Sequence, residues 1–171
     1  MSKGRKRIAA ALLTVSAAGF GTWVANEGFS SQPIIPTKGD VPTIGHGSTR
    51  YEDGTRVKMT DPPISRARAE QLARNLMGGD ERLFRASIQG VALHPEEYDL
   101  YMDFVGNFGI GNWRSSSMRR ELLGGNYLRA CHALLMWKRA GGYDCSTPGN
   151  KRCWGVWERQ LRRHAQCLSV Q

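Results

Sequence analysis

The feature that most constrains the fold is a run of nineteen uncharged residues, Ile8–Asn26, which follows a basic head and ends at Glu27. As a helix this run would be about 28 Å long, close to the ~30 Å hydrocarbon core of a bilayer. Six alanines and several Gly, Ser and Thr residues dilute its apolar side chains, so its insertion into a membrane should be weak. The sequence therefore predicts an N-terminal hydrophobic helix that can just span a membrane.

The charges around this run predict its orientation. Basic residues precede it and a long polar region follows it, which places the N-terminus in the cytoplasm and exports the rest of the chain. We assign residues 1–26 to a signal-anchor segment whose residues 8–25 lie in the membrane. A cleaved secretory signal is the alternative, because Ser16-Ala17-Ala18 resembles a cleavage site for signal peptidase. In both cases the body of the chain leaves the cytoplasm.

The overall charge favours an acidic partner. Lys and Arg total 24 against 15 acidic residues, and an excess remains when the four basic residues of the head are set aside. Such a surface favours polyanions, including the acidic bacterial cell wall. We expect no nucleic-acid partner, because the basic residues are scattered and no nucleic-acid-binding motif accompanies them. The remaining length suits one compact domain, which we expect to act as a monomer.

All four cysteines lie in the last quarter of the chain. An even number of cysteines in an exported protein favours disulfides, and four cysteines allow three pairings. No C-x-x-C pair occurs and the histidines are dispersed, so we expect no metal site and no cofactor. The turn-rich sequence STPGNKR favours a Cys145–Cys153 bridge around it, which leaves Cys131–Cys167.

The amino-acid composition of the sequence changes near residue 62. Residues 33–59 are rich in Gly, Pro and Thr, and Asp53-Gly54 is a strong hairpin signal, with Glu52 as a further turn residue. From there helical signals dominate, beginning with Ser65 as the cap of a helix. The sequence predicts an α+β, mainly α fold for residues 27–171, with a β-subdomain over 27–62, a helical lobe over 63–171 and a cleft between them.

Two helices of the lobe have clear patterns. The first carries Ala69, Leu72, Ala73 and Leu76 on one face. The second opens at His94-Pro95 and is interrupted by glycines at Gly106 and 109–111. Later helices are expected to end at paired glycines.

Glu27 is the candidate catalytic acid. Cleaving a glycosidic bond needs a proton donor for the leaving oxygen and a group that activates water on the opposite face of the sugar. The flanking Trp23 and Phe29 would desolvate the Glu27 carboxyl and raise its pKa. A surface or helix-end charge is the plainer interpretation of this residue.

Five stretches together resemble the phage lysozyme family, glycoside hydrolase family 24, and more closely its signal-arrest-release endolysins. They are Glu27-Gly28-Phe29, Pro42–Gly47, Asn107–Asn112, Trp137–Gly142 and Gly155–Arg159, in the family's order. The resemblance implies a lysozyme-like fold and a bacteriolytic, antimicrobial muramidase that cuts peptidoglycan between N-acetylmuramic acid and N-acetylglucosamine. It also implies host lysis for phage release, with the chain anchored in the host inner membrane and then released to the periplasm.

The resemblance implies that Glu27 is the acid and that Thr43 helps to hold the attacking water. The family usually has an Asp or Cys nine residues after the Glu, but here Pro36 stands at that place, and Thr37 is six residues before Thr43. The second catalytic group is therefore either Asp40 or Thr37. Asp40 next to Gly39 is equally a turn residue. His46 either shapes the floor of the cleft or satisfies the hairpin, and we favour the hairpin.

Substrate contacts are expected where the glycines break the second helix. Asn107, Gly111 and Asn112 are candidates for contacting acetamido or peptide groups, and a helix C-cap with its loop is the alternative. We expect Trp137 in the core and Trp113 to be the exposed aromatic residue.

Two other functions fit the same sequence. A lytic transglycosylase would use Glu27 alone and form an anhydro sugar. A non-catalytic cationic protein would bind the wall without cutting it.

Overall fold

The computed structural model describes residues 6–36 and 39–171. The described residues contain six α-helices and six short strands. The helices are Ala17–Glu27 (α1), Arg66–Ser87 (α2), Pro95–Ser115 (α3), Ser117–Leu123 (α4), Tyr127–Ala133 (α5) and Trp154–Leu168 (α6). The strands are Ile8–Ala9 (β1), Ser30–Ile34 (β2), Thr43–Gly45 (β3), Ala92–Leu93 (β4), Arg139–Ala140 (β5) and Tyr143–Asp144 (β6). The strands form three antiparallel pairs, β1 with β4, β2 with β3, and β5 with β6. The fold is therefore α+β and mainly α, as predicted.

The N-terminal run does not form the single helix that its composition predicts. Ile8–Ala9 form β1, Ala10–Leu12 form one turn of 3-10 helix, and α1 begins only at Ala17. Within residues 6–36 and 39–171, no helix is both long enough and apolar enough to cross a membrane.

The break has a local cause. Leu13 is extended, with φ −91° and ψ 151°. Ser16 then caps α1, because its side chain accepts a hydrogen bond of 3.0 Å from the Gly19 N–H. Ser16 thus begins a helix inside the fold, at the place where the sequence suggested a cleavage site.

The chain divides into two compact units. We call Val15–Leu83 the smaller unit and Met1–Thr14 with Phe84–Gln171 the larger unit. These boundaries differ from the expected ones after residues 26 and 62, because the N-terminal run is shared between the two units. Each unit is described by itself below.

The smaller unit packs its strands and turns against the start of α2. One of its buried clusters consists of Ile44, Val57 and Leu72, and Phe20 and Trp23 are buried in the same unit. The Ser65 side chain caps α2 by accepting from the Arg68 N–H at 3.1 Å, as predicted. The Asp53-Gly54 turn is also confirmed, since the Asp53 carboxylate accepts from the Thr55 N–H at 2.9 Å and the flanking residues 50 and 56 form a β-bridge.

The larger unit has an aromatic core built largely from α3. Its largest fully buried side chains include those of Phe84, Tyr98, Tyr101, Phe104 and Trp113. α3 starts with a capping box between His94 and Glu97. Its path breaks at one glycine, Gly109, whose φ of 83° is non-helical.

The start of the chain belongs to this larger unit. β1 pairs with β4, and the buried Ala10 donates its N–H to the Val91 carbonyl at 2.9 Å. Arg7, from the basic head, donates to both carboxylate oxygens of Glu97 at 3.0 and 3.1 Å. Glu97 is fully buried, so this ion pair ties the N-terminus to α3.

Both predicted disulfides are present. Cys131–Cys167 joins α5 to α6, with Cα atoms 5.5 Å apart. Cys145–Cys153 closes the turn-rich loop, with Cα atoms 5.0 Å apart. The pairing argued from loop geometry is confirmed.

Candidate active site

Glu27 is the last residue of α1 and is exposed to solvent. Gly28 ends the helix with a φ of 73°, a conformation that favours glycine. A Cβ atom placed on Gly47 would lie 3.4 Å from Oε2 of Glu27. The carboxylate therefore lies against the turn that follows β3. The desolvation expected from Trp23 and Phe29 is not the environment of this exposed side chain.

The turn after β3 is closely packed. Ile44 and Ser48 exchange two backbone hydrogen bonds of 3.0 Å. Gly45 has a φ of 67°, and a Cβ atom there would come within 2.9 Å of the Ala69 Cβ on α2. Only glycine fits this place, so the turn is fixed against α2, and with it the position of Gly47 beside Glu27.

Thr43 begins β3 and pairs with Ile34 of β2. Its side chain is nearly buried, with 9% exposed. Its hydroxyl lies 3.4 Å from the Ile34 carbonyl oxygen, longer than a good O–H···O hydrogen bond. The hydroxyl is therefore only weakly held and retains the capacity to bond a second partner.

His46 connects the turn to the residue after Glu27. The ring is buried, and its Nδ1 contacts the Gly28 carbonyl oxygen. The ring also packs 5.6 Å from that of Phe29, and the Arg66 guanidinium lies 4.4 Å from the centre of the Phe29 ring. The histidine thus holds the end of α1 to the turn, in keeping with the structural role that we favoured.

Asp40 lies in the connection between β2 and β3 and is exposed. Thr37, the alternative second catalytic residue, lies outside the described residues. The structure therefore brings Glu27 together with the turn around His46 and Gly47. It places Thr43 at the start of the strand that leads into that turn.

Asn107, Gly111 and Asn112 belong to the larger unit, at the break in α3. The Asn112 amide donates to the Phe108 carbonyl at 2.7 Å across that break. Asn107 accepts a hydrogen bond from the Arg163 guanidinium. These polar side chains therefore have structural partners of their own, and Gly111 is exposed.

The larger unit contains a polar network that the sequence did not reveal. Arg163 is 3% exposed, and its Nε donates to Asp103 at 2.7 Å. It also donates to Gln160 at 2.6 Å. Burial lowers the pKa of Arg163, and the nearby Asp103 carboxylate opposes that shift. The i, i+3 spacing of Gln160 and Arg163 on α6 was the available signal, but α6 is rich in basic residues and the buried one does not stand out.

The expectation for Trp113 is wrong. Its side chain is fully buried among the rings of Phe84, Tyr101 and Phe104, and its indole N–H donates to the Ser87 hydroxyl at 2.8 Å. The neighbouring Asn112 suggested a loop, but α3 resumes after Gly109 and turns Trp113 inward. Trp137 packs edge-on against Phe104, with ring centres 5.0 Å apart, consistent with the predicted core position.

Comparison with known proteins identifies the family of this chain. The family model described as phage lysozyme matches residues 24–160. The endolysin of Salmonella phage P22 is 28% identical over 130 residues, which cover 76% of this chain and 87% of that protein.

Solved structures agree with the sequence match. A crystal structure of a P22 lysozyme mutant has a TM-score of 0.75 at 25% identity, covering 92% of this chain and 99% of that one. The endolysin from Escherichia coli O157:H7 phage FAHEc1 has a TM-score of 0.71 at 22% identity, covering 94% and 96%.

The fold and the matches together define a glycoside hydrolase of the lysozyme type. The chain belongs to the phage lysozyme family, and its function is that of a lysozyme-type endolysin.

Proposed function

We propose that this endolysin hydrolyses the β-1,4 bond between N-acetylmuramic acid and N-acetylglucosamine in peptidoglycan and so lyses the host cell to release phage. Glu27 is the general acid that protonates the leaving oxygen. Thr43 holds the attacking water, with Asp40 or Thr37 as the second catalytic group. The observation that carries the proposal is the Glu27 carboxylate fixed against the glycine turn that follows Thr43.

The exposure of Glu27 suits a polymeric substrate. An exposed carboxylate at a helix end is accessible to a glycan strand, and its position is set by backbone rather than by a mobile loop. The weak bond of the Thr43 hydroxyl leaves it able to bind a water molecule. Asn107, Gly111 and Asn112 are proposed to contact acetamido or peptide groups of the substrate. The enzyme acts as a monomer.

Mass spectrometry of digested peptidoglycan tests the reaction. The proposed hydrolysis leaves reducing N-acetylmuramic acid ends. Reducing N-acetylglucosamine ends would show that a different bond is cut, 1,6-anhydro ends would show a transglycosylase, and an intact polymer would show a non-catalytic wall-binding protein.

The second catalytic group is ranked in the same assay. Asp40→Ala and Thr37→Ala are compared with Glu70→Gln, a control for a carboxylate elsewhere in the smaller unit. Whichever of Asp40→Ala and Thr37→Ala loses more activity identifies the second catalytic group. If neither matters, Thr43 and backbone groups hold the water.

We also propose that the chain is first held in the host inner membrane through residues 8–25, inactive, and is then released uncleaved into the periplasm. The support is that the same residues are structural parts of the folded enzyme. Ala10 and Leu13 are buried in the larger unit, and Phe20 and Trp23 are buried in the smaller unit. A run buried in lipid cannot fill either core, so the anchored form lacks part of both.

Cell fractionation tests this control. Membranes should contain full-length chain, and a depolarising agent should move that same chain to the periplasm and trigger lysis. Replacing Gly19 and Gly21 with Leu should hold it in the membrane by adding apolar surface. Gly21 has open space around it, so a side chain there is compatible with the folded enzyme. A mature N-terminus near Gly19 would show a cleaved signal, and the glycosidase assignment would survive.

A further inference from the structure

A concave site lies within the smaller unit, and its lining includes neither Glu27 nor Gly47. It is a cavity of about 670 Å³, within the range of ligand sites. We call it the side groove. Its lining residues come from the chain around the Asp53 turn and from one face of α2, and they are Arg50, Tyr51, Glu52, Leu72, Asn75, Leu76, Gly79, Asp80, Arg82 and Leu83.

The two carboxylates of the side groove differ. Glu52 is satisfied within the protein, because it accepts from Arg68 at 2.5 and 2.8 Å and from Asn75 at 3.0 Å. Asp80 is half-buried and has no hydrogen bond or ion pair with the described residues, and burial raises its pKa. A desolvated, unpaired carboxylate in a cavity is a candidate for binding a cation.

The cations of the side groove are also available. Arg82 has no hydrogen bond or ion pair with another described residue. Arg50 uses one N–H group to donate to the Gly54 carbonyl at 2.7 Å, and its other donors remain for a ligand. Leucine side chains and the Tyr51 ring supply apolar surface between these charges.

Glycine keeps the side groove open. Gly78 and Gly79 lie in the middle of α2, where glycine destabilises a helix relative to Ala. Beyond the adjacent residues and the nearby backbone of α2, no atom lies within 4 Å of a Cβ placed on either residue, so close packing does not require glycine there. Gly79 lines the side groove, and a side chain there would extend into the space that a ligand needs.

We propose that the side groove binds the peptide side chain of peptidoglycan, with a primary amine of the peptide at Asp80 and a peptide carboxylate at Arg82. The proposal rests on the proposed function, which makes the wall polymer the substrate. A purely anionic polymer would be repelled by Asp80. A neutral glycan has no charged group to pair with Asp80 or Arg82. A short peptide with a free amine, carboxylates and small apolar side chains matches all three kinds of lining group.

The first experiment measures peptide binding by calorimetry with the untagged full chain. The probe is a synthetic, N-terminally acetylated peptide of Ala, Glu and diaminopimelate, which retains one free amine. We expect Asp80→Asn to weaken its binding about tenfold, the scale of one charge-assisted hydrogen bond. Acetylating the remaining amine of the peptide should lower its affinity for the wild type about tenfold as well. The same acetylation should not lower its affinity for the Asp80→Asn protein any further. Independent, additive losses would overturn the pairing of amine and carboxylate.

The second experiment uses the adjacent glycines as a matched pair. Gly79→Met should abolish detectable binding of the peptide, whereas Gly78→Met should leave the affinity within about twofold. Both variants should keep or raise the Tm, because Met is a better helix former than Gly. Equal affinities in the two variants would overturn the proposal.

Wall digestion separates this proposal from the proposed function. If the wild type digests the wall but does not bind the peptide, the side groove proposal is wrong and the enzyme assignment stands. If it binds the peptide with the expected dependence on Gly79 and Asp80 but releases no glycan fragments, the enzyme assignment is wrong and the peptide site stands.

Discussion

The two units are stabilised by different means. The larger unit has both disulfides and a core of large aromatic side chains. The smaller unit has no cysteine, and its buried apolar side chains include those of Phe20, Trp23, Ile44, Leu72 and Met77. It relies on turns that only glycine can form, such as the one at Gly45, where a Cβ would clash with Ala69. The candidate catalytic carboxylate belongs to the unit without a disulfide.

This difference indicates a division of roles. Residues that must present polar groups to a substrate cannot all be buried, and the smaller unit carries an exposed Glu27 and an unpaired Asp80. The larger unit instead pairs its buried charges, as in Arg163 with Asp103. Substitutions in the smaller unit should therefore change activity more than stability, and substitutions in the larger unit the reverse.

The largest effect is expected from Glu27→Gln. The amide has no acidic proton to give, so wall digestion should fall by up to about ten-thousand-fold. The side chain is exposed, so the Tm should stay that of the wild type. Digestion rates and thermal melts of purified Glu27→Gln and Glu70→Gln proteins test this. Substantial activity in folded Glu27→Gln protein would exclude Glu27 as the acid.

The second prediction concerns the ion pair of the larger unit. Arg7→Ala leaves the fully buried Glu97 carboxylate without its bidentate partner, which should lower the free energy of unfolding by about 3–5 kcal/mol. Urea denaturation measures the loss. The double variant Arg7→Ala, Glu97→Leu should recover much of it, because no charge is then left buried. A loss below 1 kcal/mol would show that the N-terminus contributes little to this unit.

The third prediction compares the two disulfides. In the chain-entropy estimate, the longer loop of Cys131–Cys167 contributes about 4 kcal/mol and the short loop of Cys145–Cys153 about 2.5 kcal/mol. Their sequence separations are 36 and 8 residues. The variant in which Cys131 and Cys167 are both replaced by Ser should therefore unfold at a lower urea midpoint than the variant in which Cys145 and Cys153 are both replaced. The opposite order would show that native packing around the loop outweighs loop length.

Much of the fold could be predicted because local signals and tertiary structure agree. The Ser65 cap, the Asp53-Gly54 turn and the glycine break in α3 are all present. The disulfide pairing also followed from sequence, because a turn-rich loop separates Cys145 from Cys153.

The predictions from sequence that were wrong concern places where tertiary contacts override local composition. An uncharged, alanine-rich run fits a membrane as well as a protein core, and its division into β1 and α1 depends on partners far along the chain, such as Ala92 and Leu93. Trp113 follows a glycine break, but the helix resumes and buries it. The side groove was not foreseen, because Gly79 and Asp80 have no local signature that distinguishes a cavity from an imperfect helix.

The smallest effect is expected from the histidine pair of the larger unit. His132 Nδ1 and His164 Nε2 lie 3.0 Å apart, between α5 and α6 beside the Cys131–Cys167 bridge. Burial, and then the charge of His132, lower the pKa of His164 below its usual 6.5. As the pH falls through 6.5, His164 therefore binds a proton in the unfolded chain but not in the folded chain. The folded state loses stability relative to the unfolded state as the pH falls below 6.5.

The Tm of the wild type should consequently fall more between pH 7 and pH 5 than that of a His132→Gln variant, in which no second imidazolium forms beside His164. The effect should be slight, because both rings are partly exposed and solvent screens their repulsion. NMR titration of the His164 ring gives the pKa directly, and it should rise in the variant. An unchanged pKa would show that burial alone sets the proton affinity of this ring, and that the pair adds nothing to the pH dependence of the larger unit.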